Sequence, residues 1–187
     1  MVSDPRWIGI LFQDPLVRAI RREVAPKTVT RRAPARADRW AGVQPGDRLW
    51  VREAWNVGSW TGGEGYRSWF EPTHRIPKTR PAPEDAEVIF RADGFPATAD
   101  DPSYRPSIHM PRWASRISLE VVSVRKERGW VYAFAGGERV PLPMVDDEEA
   151  RREGVADRAA FLELWRQING PEYPSELWRI EFRRIVE

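Results

Sequence analysis

Apolar side chains alternate through Arg116–Lys126 (RISLEVVSVRK), with Ile117, Leu119 and Val121 facing one way. A period of two marks a strand with one face buried, and such a strand needs partners on both edges. The final stretch Leu177–Val186 supplies a match, with Trp178, Ile180 and Phe182 on one face. Shorter runs add to the set. Ile8–Phe12 is a brief apolar strand, and Arg48–Glu53 (RLWVRE) alternates Leu49 and Val51 with charged residues after the turn Pro45-Gly46-Asp47. Glu87–Ala92 reads as a short strand, and Trp130–Pro141 as a hairpin turning on Gly136-Gly137. Lys27–Arg32 (KTVTRR) reads as a strand or an extended loop.

Helical signals are fewer. Asp14-Pro15 opens a helix through LVRAIRREV, with Asp14 as expected N-cap and Pro26 as its stop. Asp146–Arg152 is a short acidic helix. Asp157 caps another, with Ala160, Phe161, Leu164, Trp165 and Ile168 at helical spacing and Asn169-Gly170 ending it. Strands outnumber helices and connections are long. The expected class is α+β, a mixed or mostly antiparallel β-barrel flanked by helices. One domain over residues 1–187 fits, with insertions at about 56–86, 93–106 and 128–145, the first read as a long polar excursion.

No apolar run approaches the ~18 residues of a membrane span, and MVSDPRWIGILF lacks the layout of a signal peptide. A cytoplasmic protein with no membrane partner is the expectation. There is no cysteine, and His74 and His109 stand apart without spaced carboxylates, so no metal ligand set or cofactor motif is read.

Charge is unevenly placed. Lysine occurs only at Lys27, Lys78 and Lys126; the rest of the 30 cations are arginine. Arginine forks match phosphates and base edges, and a high-GC genome, which favours arginine codons, would give the same bias. Arg18–Arg39 carries eight cations against Glu23 and Asp38, a local +6, whereas Asp146–Arg158 is a local −3. A basic stretch of this kind raises the local phosphate concentration or is a solvated face. Ten tryptophans serve as core anchors or, where exposed, as stacking platforms.

In an extended KTVTRR, Thr28 and Thr30 share one face, and Lys27 and Val29 the other, unless a turn brings Lys27 onto Thr30. A lysine beside a hydroxyl acts as a base when burial or nearby cations lower its pKa. Arg31 and Arg32 would supply those cations or bind phosphate. Arg48, Arg52 and Trp55 in PGDRLWVREAW, and Arg22 in the basic stretch, are further candidates for substrate or nucleic-acid contact. Glu153 lies between the two late helices, before Gly154.

The ordered set ILFQDPLVRAI, PKTVTRR, PGDRLWVREAW, PSIHMPRWASRISLEVVSV, EEARREG, FLELWRQING and LWRIEFRRI resembles the ASCH family, in its longer phage and prophage branch. The resemblance spans nearly the whole chain. It implies a PUA-like β-barrel with a helix-lined cleft and an RNA, single-stranded DNA or modified-nucleoside partner. Small members are N4-acetylcytidine amidohydrolases with a lysine, a threonine and a glutamate at work. By that match Lys27 is the base, Thr30 the nucleophile and Glu153 the proton donor. The expectation is a hydrolase that removes an acyl group from a modified base or nucleoside. The alternatives are a non-catalytic module binding RNA or single-stranded DNA and, more weakly, a ribonuclease.

Overall fold

The two long alternating runs are the spine of the protein. The computed structural model describes residues 4–34, 38–61, 69–82, 85–94 and 104–186. Along these the order is β1 (Trp7–Leu11), α1 (Asp14–Ile20), β2 (Val29–Arg32), β3 (Arg48–Arg52), β4 (Trp55–Thr61), β5 (Trp69–Pro72), β6 (Glu87–Phe90), β7 (Ser118–Arg128), β8 (Trp130–Ala135), β9 (Glu138–Pro143), α2 (Asp147–Arg152), α3 (Arg158–Asn169) and β10 (Glu176–Ile185). The architecture is α+β, mostly strand.

The main sheet runs β1-β3-β7-β10-β2. β1 lies parallel to β3, and the other pairs are antiparallel. One face holds the core: Ile10, Leu49, Val51, Leu119, Val121, Ile180 and Phe182, closed by Leu16, Val17 and Ile20 of α1. The face of β10 carrying Leu177 packs on a second cluster, where the hairpin's Trp130 meets Phe161 and Trp165 of α3. β10 is therefore covered on both faces.

Five strands at about 4.8 Å spacing would set the edges of a flat sheet roughly 19 Å apart. Yet Arg32 on the edge strand β2 donates from Nη2 to Leu11 O on the opposite edge strand β1 at 2.7 Å. The sheet is thus strongly curled. Among the described residues no backbone ladder joins β1 to β2, so the expected barrel is not closed by strand pairing.

Residues 56–86 differ from expectation. They hold most of β4 and all of β5, which pair with β6 as a second sheet ordered β5-β4-β6. Gly58 makes NVGS look like a turn, but it is needed inside the strand: a Cβ there would sit 2.0 Å from Glu71 O. Residues 62–68, 83–84 and 95–103 of the expected insertions lie outside the described residues. The hairpin expected over Trp130–Pro141 forms, as β8 and β9.

α1 is shorter than LVRAIRREV suggests. Its next turn needs Ala19 O, but Lys27 N–H takes that carbonyl at 3.0 Å. The chain then turns back, with Ala25 at φ 48°. Asp14 is the first helical residue and Gln13 the cap, so Asp14 does not cap; its Oδ2 accepts from Arg91 Nε instead. Asp146 and Asp157 do cap, accepting from Glu149 N and Ala160 N at 2.8 Å each. Asp47 shapes its turn as expected, accepting from Gln44 N and from Arg6. No helix among the described residues is long and apolar enough to cross a membrane.

Candidate functional site

Two pieces of chain from opposite ends of the sequence build the site. The turn after α1 delivers Lys27 to the start of β2. The end of α2 delivers Glu153. That helix stops in a Schellman arrangement: Gly154 N–H bonds Arg151 O at 2.9 Å, and Val155 N–H bonds Ala150 O at 3.2 Å. Gly154 has φ +89°, a left-handed conformation natural to glycine. The space is also closed to a side chain, since a Cβ would lie 2.8 Å from Ala19 Cβ and 3.3 Å from Lys27.

Lys27 is buried beneath this turn. Its Nζ donates to Val29 O at 2.5 Å, Glu153 O at 2.6 Å and Glu153 Oε2 at 2.8 Å. All three ammonium protons are therefore engaged. Burial pushes its pKa below the usual lysine value, while the Glu153 carboxylate resists. Thr28 N–H bonds Arg152 O at 2.9 Å, and Phe182 N–H bonds Thr28 O at 2.8 Å, fixing the segment between α2 and β10.

Arg31 extends the network. Nε meets Glu127 at 2.6 Å, Nη2 meets Glu149 at 2.8 Å and Nη1 meets Glu153 at 3.1 Å. Its pKa is raised: burial works against this, but the Glu153, Glu149 and Glu127 carboxylates overcome it. Arg179 joins Glu149 and Glu181, and Arg152 bridges the same two carboxylates. Glu149 and Glu153 of the acidic 146–158 segment thus take up Lys27 and Arg31 of the basic stretch. Lys27 and Arg31 are internal ions, not part of an exposed phosphate patch.

Glu149 makes this network pH-dependent. Burial tends to raise its carboxyl, but the Arg179 and Arg31 guanidiniums draw it from 4.5 down to about 2. A folded pKa below the unfolded one adds stability above pH 4.5, and that stability is lost as pH falls toward 2. We expect Glu149→Gln to lower Tm at pH 7 and to narrow the gap from the parent at pH 2–3, as read by thermal melts across that range. An unchanged gap would remove Glu149 from the acid transition.

Above the network lies a cleft lined by Thr30, Arg31, Arg32, Glu153, Trp165 and Asn169, among others from α1 and α3. Its volume is about 40 Å³, room for a small group. Thr30 makes no hydrogen bond from its hydroxyl to a described residue and does not bond Lys27. Arg32 Nε is buried without a hydrogen-bond partner among the described residues. Burial first, with the Arg39 charge adding to it against the pull of Glu153, lowers the Arg32 guanidinium to about 10.

Of the candidate residues, Thr30, Arg31, Arg32 and Glu153 line one cleft, with Lys27 bound to Glu153 below it. Other candidates fall elsewhere. Trp55 is fully buried, edge-on to Trp113 at 5.8 Å, so it is a core anchor and no stacking platform. Arg22 is exposed beyond α1 and does not line the cleft. Arg48 and Arg52 lie on β3, over the Trp7 and Trp50 rings at 5.2 and 4.7 Å, outside the cleft. Arg36 lies outside the described residues. Glu149, Arg179 and Asn169 were not anticipated. Arg179 reads as the solvent face of a strand, because nothing local announces that α2 covers it.

Among the described residues no group of three or more His, Asp or Glu is placed to hold a metal ion. No family model, curated protein or solved structure matches the chain.

Proposed function

We propose that the chain is a cytoplasmic, PUA-like protein of ASCH type that handles a modified base or nucleoside and removes an acyl group from it. The observation that supports this best is the meeting of Thr30 and Glu153 in one cleft, with Lys27 Nζ on the Glu153 carboxylate across 126 positions of sequence. A free hydroxyl, a buried amine with lowered pKa and a carboxylate are the parts an amide hydrolysis needs.

In this reading Thr30 Oγ1 attacks the amide carbonyl carbon, and its proton passes to the Lys27–Glu153 pair. The tetrahedral intermediate collapses as the C–N bond breaks, and the pair returns the proton to the leaving amine. Water then cleaves the acyl-threonine ester. Arg32, which lines the cleft, is the cation available to the developing oxyanion. The narrow cleft suits the acyl group, with the base at its mouth.

Incubation with N4-acetylcytidine and related acylated nucleosides tests the proposal. Turnover is expected, falling on the order of 10³-fold or more in Thr30→Ala. No turnover, or turnover indifferent to that change, sinks it. One observation favours a second reading, a non-catalytic module for RNA or single-stranded DNA. All three Lys27 donors are already satisfied, which suits a structural ammonium. Salt-steep binding without turnover would support that reading. Cleaved RNA, lost in Lys27→Ala, would instead indicate a ribonuclease.

A further inference from the structure

Three arginines gather around β1, just beyond the cleft, two on its outer edge and Arg52 across Gly9 from β3, and none of them has a carboxylate partner among the described residues. Arg32 reaches Leu11 O. Arg39 Nη2 donates to Gly9 O, two residues back on the same strand. Arg52 sits opposite Leu11 in the β1–β3 register. Gly9 leaves the room for it: a Cβ there would lie 2.9 Å from the Trp50 ring and 3.4 Å from Arg52 Nε.

The arginines of the ion-pair networks are held differently. Arg31, Arg116, Arg152 and Arg179 each meet at least two carboxylates. Asp38, next to Arg39 in sequence, turns away to Trp178 Nε1 and Lys126. The Nε atoms of both Arg32 and Arg52 are buried and have no hydrogen-bond partner among the described residues. Ring faces hold the three guanidiniums in place: Phe12 under Arg32 at 5.0 Å, Trp40 under Arg39 at 4.6 Å and Trp50 under Arg52 at 4.7 Å. Their charges also act on one another. Burial, and then the Arg52 charge, lowers the Arg39 pKa, as Arg39 in turn helps lower that of Arg32.

Like charges brought together with donors unused are unfavourable until an anion arrives. Arginine's planar fork matches the oxygens of a phosphate, and positions pre-set by ring faces lower the ordering cost of binding. We propose that Arg32, Arg39 and Arg52 form a phosphate-binding site on the rim of the cleft, so that the base presented to Thr30 arrives with a phosphate attached. The site itself stands on its own geometry; the attachment to a base rests on the function proposed above. Arg32 belongs to both the cleft and the cluster, so a phosphate held here lies next to the mouth of the cleft. A mononucleotide and a nucleic-acid strand both offer that chemistry.

Titration calorimetry on the full chain separates the cases, using cytidine, cytidine 5′-monophosphate and a single-stranded hexacytidylate. The monophosphate is expected to bind at least tenfold more tightly than cytidine. Arg39→Gln/Arg52→Gln should bring it to the level of cytidine. Arg39→Gln alone, at an exposed side chain, should give part of that loss without disturbing the fold. Arg183→Gln/Arg184→Gln, which removes the same charge from β10, should leave binding within about twofold. If the hexamer exceeds the monophosphate tenfold and the double variant abolishes the gain, the site takes a strand phosphate; similar affinities assign it a mononucleotide. Equal binding of cytidine and its monophosphate, or binding indifferent to the Arg39 and Arg52 changes, overturns the proposal. Hydrolysis of acetylcytidine with no phosphate preference would leave the hydrolase standing and remove this site. Phosphate binding without hydrolysis would do the reverse.

Discussion

Glu153→Ala is expected to destabilise the protein by about 3–5 kcal/mol, the cost of leaving a buried ion without its partner. For a chain of this size that is a fall in Tm on the order of 10 °C. The substitution leaves the Lys27 ammonium with two carbonyl acceptors and no counter-charge, and takes one of three carboxylates from Arg31. The penalty has a distinct pH dependence. Burial already depresses the Lys27 pKa in the folded state, and Glu153 is the main influence holding it up. Without Glu153 the folded pKa drops further below 10.5, so the unfolded chain binds more protons between the two values. Stability then rises with pH through that window. Denaturant melts of Glu153→Ala from pH 6 to 10 should show the deficit shrinking toward the alkaline end. Lys27→Met/Glu153→Leu, which removes both ions, should recover at least half the loss. A deficit that is flat with pH, or a double variant worse than either single one, would show that the pair is not the source of the effect.

Gly154→Ala should cost about 2–5 kcal/mol from two independent sources. The left-handed backbone at φ +89° is strained for any residue with a Cβ. The new methyl also enters occupied space, at 2.8 Å from Ala19 Cβ and 3.3 Å from the Lys27 stem. Ala19 is fully buried on α1 and Lys27 is pinned at three points, so neither yields easily. The relief available is displacement of the turn, which carries Glu153 away from the cleft. Stability and any Thr30-dependent activity should therefore fall together, as followed by thermal melts and turnover on one preparation. A variant of near-parental stability would show that the turn has slack the geometry does not suggest.

Much of this could be read from the chain before folding, and the failures have common causes. The long strands were legible because Ile117, Leu119, Val121, Ile180 and Phe182 keep a strict period of two toward one core. The helix cap at Asp157 was legible because capping is local chemistry. The strand β4 was not, because Gly58 is there for a neighbour's backbone, and a single sequence does not show the neighbour. The site divides in the same way. Lys27, Thr30 and Glu153 were singled out by motif resemblance. The meaning of the basic stretch was not visible, since it depends on which cations the 146–158 carboxylates reach. Arg31 is taken up by them; Arg32 and Arg39 are left over. Trp55 could be read either as a contact for substrate or nucleic acid or as a core residue, and only the second sheet shows it to be enclosed.

The bond between Lys27 and Glu153 also bears on how the protein reaches its native state. It closes a loop of 126 positions, and the Arg31 contacts with Glu149 and Glu153 close loops nearly as long. Contacts of such high sequence separation form late and slowly, because loop entropy must be overcome before they add stability. Until α2 has been synthesised and docked, Lys27 has no counter-ion and Thr30 no cleft. The site is accordingly a product of global folding: no N-terminal fragment ending before residue 146 can contain it.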